Sequence, residues 1–564
     1  MRLSQLLLGA ALWAGTLLAS AAAPVPPGPS APPAGTVRKH LIYFRDKAGS
    51  PYRTDQPQAY LSARALQRRQ RQNIAVLPRD LPVNPSYVQQ VKAVAGAQLW
   101  YTSRWFNAAV VSCDSATLAQ IQTLPCVQVI KTVNRGLPGS RKRDGVDQEP
   151  AEQNRGTRAE YGPAFTQANM IGAVAMHDAG FRGEGMQIAV FDAGFQGVNS
   201  APVFTALTQE KRLASVFNFV DKNQSVYQRS SHGTNCLSTM AVNQSGFYIG
   251  TAPKATYHLC VTEDVTSEHP VEEVNWLIAA EYADSAGVDI ISSSLGYNTF
   301  DYPSIDYTYN DLDGRTAIAT RAATMAARVG MLVVSSAGNE GNSSWRYITT
   351  PADADSILTV GAVDSLQRRA SFSSLGPTAD GRIKPTLAAM GQQTALLTPG
   401  GAATRGSGTS FSCPVLAGMV AGFWQANPTL TAQQVISLLE RSGTRATTPN
   451  DEVGYGIPHF VRAFNLANPS TPLAVEKVPP KQELVIYPNP ARDNELYLQL
   501  ADAFLNKPLR VRILDSRGGL VAEQVVPASG ARDVRLQPGV LSKGVYTCTV
   551  LAGNVQRTVR FVKL

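Results

Sequence analysis

The sequence predicts a chain in three parts: a small α+β domain, an α/β domain on a parallel sheet covered on both faces, and a terminal all-β unit. Three observations lead there. Between residues 161 and 466, short apolar runs alternate with helical patterns. Ahead of them, residues 36–135 hold two helical and three strand-like runs. After residue 481 only strand-like alternation remains.

The chain opens with a single Arg, an apolar run from about Leu6 to Leu18, and small residues up to position 23. That pattern reads as a secretory leader too short to span a membrane, and no later run reaches spanning length. From His40 the order is strand "HLIYF", helix "AYLSARALQRRQRQ", strand "RWFNAAVVSC", helix "SATLAQIQTL" and strand "VQVIKTV". Residues 136–160 are polar and Gly/Arg-containing, and read as an exposed, cleavable linker.

In the middle region "MQIAVF", "VDIISSS", "MLVVSSA" and "SILTVGAV" are nearly continuous apolar strands. They alternate with helices such as "VEEVNWLIAAEYADSAG" and "GRTAIATRAATMAARVG". Such strands need apolar cover on both sides, which βα crossovers supply. A Pro-containing linker at 467–481 leads to residues 482–564. There Leu509, Val511 and Ile513 alternate with Arg510 and Arg512 before a Gly-Gly turn, a half-buried hairpin strand.

The net charge of +9 is unevenly spread. Residues 24–158 carry 19 Lys and Arg against 8 Asp and Glu, whereas residues 159–564 carry 31 against 34. The basicity therefore belongs to one N-terminal domain with its own task, and the reading assigns no nucleic-acid partner and no membrane-embedded segment. Six cysteines match no zinc spacing and are too sparse for a disulfide framework; pairing of Cys113 with Cys126 stays open.

Function in parallel α/β sheets collects at the carboxyl ends of strands. "MQIAVFDAG" ends a strand in Asp192, although a strand-end Asp also caps turns. "SSHGTNCLSTMA" sets His232 ahead of a small apolar helix, in a Gly-Thr context that the other five histidines lack. "VVSSAGNEG" ends a further strand before Asn339, which serves equally as an amide donor or an Asx-turn. "GSGTSFSCPVLAG" enters an apolar helix, where Ser407, Thr409, Ser410, Ser412 and Cys413 are all nucleophile candidates and an ordinary N-cap is the plain alternative.

Taken in order, "AVFDAGF", "HGTNCLSTMA", "ISSSLGY", "SSAGNEG" and "GTSFSCP" resemble the subtilisin-like serine proteases, the subtilases. The resemblance spans about residues 161–466 and implies a subtilisin-like fold. It also implies a serine endopeptidase in which Ser410 is the nucleophile, His232 its base, Asp192 the imidazole partner and Asn339 an oxyanion donor. Ser412 and Cys413 then read as packing residues. The family usually has Ser or Thr after the first Asp; here Ala193 stands there, which removes one supporting hydroxyl.

By the same resemblance, Ser294, Leu295, Gly296, Ser336, Ala337 and Gly338 wall the primary side-chain pocket, with Thr349 at its floor. No charge stands at those positions, so cleavage after uncharged residues is expected. Asp353 and Asp355 are the nearby acids that threaten that reading. Residues 36–135 resemble a propeptide that chaperones and inhibits. The "YPNP" entry and β pattern of 482–564 resemble sorting domains for type IX secretion.

The expected product is a secreted or cell-surface peptidase acting on proteins or peptides and exported by that machinery. No cofactor is required for the chemistry. Calcium is common in the family, and "NDLDG" at 310–314 offers two carboxylates without a full ligand set. An inactive surface protein using the same fold for binding is the alternative, and an esterase is disfavoured because no Gly-x-Ser-x-Gly elbow surrounds Ser410.

Overall fold

The computed structural model describes residues 36–133, 149–150, 159–473, 484–491, 495–500, 504–553 and 555–564. The leader at 1–23 and most of both expected linkers lie outside the described residues. The chain divides into two units, Met1–Leu473 and Ala474–Leu564.

The first unit begins with β1 (Arg38–Phe44), α1 (Ala63–Arg71), α2 (Pro85–Lys92), β2 (Gln98–Ser103), β3 (Ala108–Cys113), α3 (Ser115–Gln122) and β4 (Val127–Thr132). The strands pair antiparallel in the order β2-β3-β1-β4. Strand alternation gives this sheet two apolar faces. Ile42, Ala109 and Val111 pack in the domain's own core, while Leu41, Ala108 and Val110 pack against the next domain. The expected strand from Arg104 starts later, at Ala108. Residues 103–105 turn around Glu281, which accepts from Ser103 Oγ, Arg104 N–H (2.9 Å) and Trp105 N–H (3.1 Å). Cys113 and Cys126 are buried free thiols.

The main sheet has seven parallel strands. They are β5 (Gln187–Asp192), β6 (Leu213–Asn218), β7 (Thr256–Val261), β8 (Ile290–Ser293), β9 (Leu332–Ser336), β10 (Leu358–Val363) and β11 (Leu387–Met390), in the order β11-β10-β9-β8-β5-β7-β6. Successive residues feed opposite cores: Ile188, Val190, Ile290 and Val334 one, Ala189, Phe191, Ile291 and Val333 the other.

The helices α4 (His232–Ala241), α5 (Val271–Ala286), α6 (Ile318–Arg328) and α7 (Thr409–Ala426) position or support the site. α7 is apolar nearly all round and buried from Thr409 to Trp424, as a central helix must be. No described helix is long and apolar enough to cross a membrane.

The second unit is all-β, in antiparallel sheets of three and four strands. Its expected hairpin forms: Leu509–Leu514 pairs with Leu520–Val526, and Leu509, Val511 and Ile513 are buried.

Candidate active site

Asp192 is the last residue of β5 and is fully buried. Its Oδ1 accepts the Ala193 N–H (2.8 Å) and lies 2.8 Å from His232 Nδ1. His232 is the first residue of α4, and its N–H donates to Ser230 Oγ (3.1 Å). Gly233 is what lets this helix start so close to the strand end. A Cβ there would fall 2.4 Å from Gly194 O and 2.9 Å from the Asp192 Cβ. The Gly-Thr context thus serves the Asp192–His232 contact itself, with Thr234 Oγ1 donating to Gln196 O (2.7 Å).

Burial disfavours charge on the His232 ring. The Asp192 carboxylate outweighs that, with Cys236 adding to it, and the ring's pKa rises well above the ordinary histidine value. Three other histidines of the central domain, His177, His258 and His269, hydrogen-bond elsewhere. His258, for example, lies between Ser215 Oγ (2.8 Å) and Gln187 Oε1 (3.1 Å), and His177 between the Tyr161 hydroxyl (2.8 Å) and Thr251 O (3.1 Å).

Ser410 is the second residue of α7, so its N–H has no carbonyl a turn earlier in the helix. Pro414, four residues on, cannot donate back to Ser410 O. That carbonyl is taken by Ser294 Oγ (2.8 Å) and Cys236 Sγ (3.3 Å), which tie the helix start to β8 and α4. Ser410 Oγ donates to Ser294 O at 3.4 Å, and no hydrogen bond to His232 is described. Ser412 Oγ turns back to Thr409 O (3.0 Å), and Cys413 is fully buried, as packing residues.

Asn339 is oriented by α7. Its Oδ1 accepts both the Thr409 N–H (2.8 Å) and the Thr409 hydroxyl (3.0 Å), leaving the amide nitrogen as the outward group. Asn339 is exposed, and lines one cleft with His232 and Ser410.

The cleft measures about 360 Å³. Ser294, Leu295, Gly296, Ser336, Gly338 and Thr349 line it. Ala337 does not. It lies between two lining residues, faces the other way, and packs with Leu312, Ile348 and Ala352. Thr349 Oγ1 is buried without a hydrogen-bond partner, and a Cβ on Gly296 would fall 2.1 Å from it. The threonine hydroxyl therefore fills space that only glycines at 296 and 338 leave open.

Asp353 turns away, accepting from Gly314 N–H (2.9 Å) and the Thr320 hydroxyl, and Asp355 is exposed outside this cleft. In "NDLDG", Asp311 accepts the Thr308 N–H (2.7 Å) and Asp313 the Arg315 and Thr316 N–H groups (both 2.8 Å). Among the described residues the one set of three metal-type ligands within 4.8 Å of one another is Asp192, His232 and Cys236.

Sequence reasoning missed the charge of this cleft. Glu263, Asp264, Glu268, Glu272 and Glu340 line it, with no lysine or arginine among its described lining residues. Four of these come from the β7–α5 loop and the start of α5, which carry no motif. Glu263 accepts the Tyr297 hydroxyl (2.7 Å), and Glu272 accepts the Asp264 N–H (2.8 Å), so both are held in place.

The Subtilase family model matches residues 183–456. A Peptidase S8 propeptide domain of Bacteroidota matches 39–148, and a secretion system C-terminal sorting domain matches 485–564. Subtilisin NAT of Bacillus subtilis subsp. natto is 30% identical over 353 residues, 62% of this chain and 78% of the relative. Subtilisin of Bacillus pumilus is 32% identical over 280 residues, 49% and 90% of the respective chains. Serine protease AprX of Bacillus subtilis (strain 168) is 30% identical over 320 residues, 52% and 68%. The chain belongs to the subtilase family of serine endopeptidases, carries an S8 propeptide, and is exported through its C-terminal sorting domain as a secreted or cell-surface protein.

Proposed function

We propose that this subtilase hydrolyses peptide bonds with Ser410 as nucleophile, His232 as general base and acid, Asp192 as imidazole partner, and Asn339 as oxyanion donor. Ser410 Oγ, swung about its χ1 from Ser294 O, attacks the substrate carbonyl while His232 Nε2 takes its proton. Asp192 holds the proton on Nδ1 and stabilises the imidazolium that forms. The oxyanion meets the Ser410 N–H, at the positive end of α7, and the Asn339 amide nitrogen. His232 then returns the proton to the leaving amine, and the acyl-enzyme is hydrolysed by water along the reverse path.

The observation that carries this reading is the pair of oriented groups facing one cleft. His232 has its Nδ1 engaged by Asp192, and Asn339 has its oxygen engaged by Thr409, which leaves Nε2 and the amide nitrogen for chemistry. Labelling with a serine-directed phosphonate tests it: the adduct is expected on Ser410, and an adduct on Ser412 refutes the assignment. Protein or peptide substrates and the type IX machinery are the partners this reading implies. Subtilase chemistry is supplied by these side chains alone, without a cofactor.

A further inference from the structure

The hairpin that leads into Ser410 has an edge this chemistry does not use. β12 (Thr394–Leu397) and β13 (Ala403–Gly406) pair antiparallel, and the chain runs from β13 through Ser407 and Gly408 into α7. At the hairpin turn Ala402 O accepts the Thr398 N–H (2.9 Å). Main-chain groups alternate sides along a strand, so Thr404 and Gly406 also turn theirs to β12, while Ala403, Arg405 and Ser407 turn theirs outward. Gly406 keeps this strand beside the site. A Cβ there would fall 2.5 Å from Leu396 Cδ1 and 2.7 Å from Phe411 Cε2, and the Phe411 ring lies 5.8 Å from that of His232.

The outward edge is not bare. Glu149 and Pro150 form a short antiparallel strand on it, with Glu149 opposite Arg405 and Pro150 opposite Thr404. This agrees with the alternation. Pro150 has no N–H and stands opposite a residue turned the other way, whereas Glu149 and Arg405 can exchange both main-chain bonds. Because the pairing is antiparallel, the N-terminal side of Glu149 is the side toward Ser407 and Gly408, which line the cleft with Ser410. In the same register the position opposite Ser407 is 147. From Arg405 to Ser410 is at most about 18 Å, a span that an extended peptide covers in about five residues.

We infer that the outward edge of residues 403–407 is a docking strand for the part of a peptide beyond the cut bond, that it reaches past the cleft to Arg405, and that its built-in occupant is this chain's own linker. The bond whose cleavage frees the N-terminal domain then lies between residues 144 and 147. It is no more than about five residues ahead of Glu149, and ahead of the residue that faces Ser407. An open strand edge recognises main-chain atoms and so takes extended peptides of many sequences. Arg405 makes the one position facing it favour an acidic residue, which Glu149 is. The inference rests on the assignment of the cleft to peptide hydrolysis at Ser410.

Two variants of the full chain test it, with Gly-Ser inserted either between residues 148 and 149 or between 140 and 141. N-terminal sequencing of the first-formed remainder reads the cut bond. The cut is expected to keep its spacing to Glu149, so it moves by two residues in the first variant and stays at the parent's bond in the second. A cut at the parent's sequence in both overturns the docking strand. On the freed enzyme, peptides identical up to the cut bond carry one to six residues beyond it. Their kcat/KM should rise about tenfold on reaching the residue that faces Arg405, and N-methylation of that residue's amide should cancel the gain. Glu should be preferred there over Lys, and Arg405→Glu should reverse the order. Rates independent of length, with the short peptides still cut, overturn the docking strand and leave the assignment of Ser410 standing. Failure to cut any of the peptides strikes that assignment, and the inference with it.

Discussion

His232 Nδ1 lies 2.8 Å from Asp192 Oδ1, although 40 residues separate them in the chain. A buried carboxylate in that position fixes which nitrogen carries the proton and leaves Nε2 turned to the cleft. From that contact a pH dependence follows. Neutral imidazole is the working base, so activity rises with pH as the ring loses its proton. Asp192 favours the protonated ring, so the rise is centred above the ordinary value of about 6.5. Asp192→Asn is expected to lower turnover about 10⁴-fold and to move the midpoint down. A pH–kcat/KM profile of both enzymes checks this.

Removing the cleft groups one at a time should give graded losses. Ser410→Ala and His232→Ala are expected to abolish nearly all proteolysis. Asn339→Ala should reduce kcat about 10²–10³-fold with little change in KM, as for loss of one oxyanion donor. Gly233→Ala is a subtler probe. Its methyl would press on Gly194 O and the Asp192 Cβ, so kcat should fall although no catalytic side chain has changed. Steady-state kinetics on a peptide substrate separates the four.

Specificity divides between two parts of the cleft. The walls at 294–296, 336 and 338 are uncharged, so the residue supplying the attacked carbonyl is expected to be uncharged; a buried Arg or Lys there has no partner. Thr349→Gly empties the space beside Gly296 and Gly338 and should shift preference toward larger aromatic residues. The five acids elsewhere in the cleft should favour peptides with basic residues at other positions, the preference fading with salt. Sequencing new termini from a digested peptide library at two ionic strengths measures both effects.

The unit at 474–564 has its own apolar core and contributes none of the proposed catalytic residues. Deleting residues 482–564 is therefore expected to leave the peptidase folded and active while blocking export from a type IX-secreting host. Assay of cell and medium fractions distinguishes this from normal delivery.

Much of this was legible in the residues because buried parallel strands are written as unbroken apolar runs: "MLVVSSA" and "VDIISSS" became β9 and β8. β6 and β2 were not, because Leu213–Asn218 is an edge strand with few fully buried residues and Gln98–Ser103 is half exposed. The quartet of Asp192, His232, Asn339 and Ser410 stood out through the resemblance of short flanks such as "HGTNCLSTMA" and "GTSFSCP" to the subtilases. The cleft's acids did not, since Glu263 and Glu272 arrive from a loop and a helix start without any pattern. Nor did the role of Arg68 and Arg69. Nothing in "AYLSARALQRRQRQ" marks them as buried, yet both pair with the carboxylate of Asp284, more than 200 residues later. Burial pushes the Asp284 carboxyl up, yet the guanidiniums of Arg68, Arg104 and Arg69 bring it down to about 2.

Ser410, and no other hydroxyl of the "GTSFSCP" stretch, is the proposed nucleophile. Mass-spectrometric mapping of the active enzyme after reaction with a serine-directed phosphonate tests it most directly. A single adduct on Ser410 is expected, and it is lost in His232→Ala. An adduct on Ser412 or Thr409, or full activity with Ser410 unmodified, would contradict it.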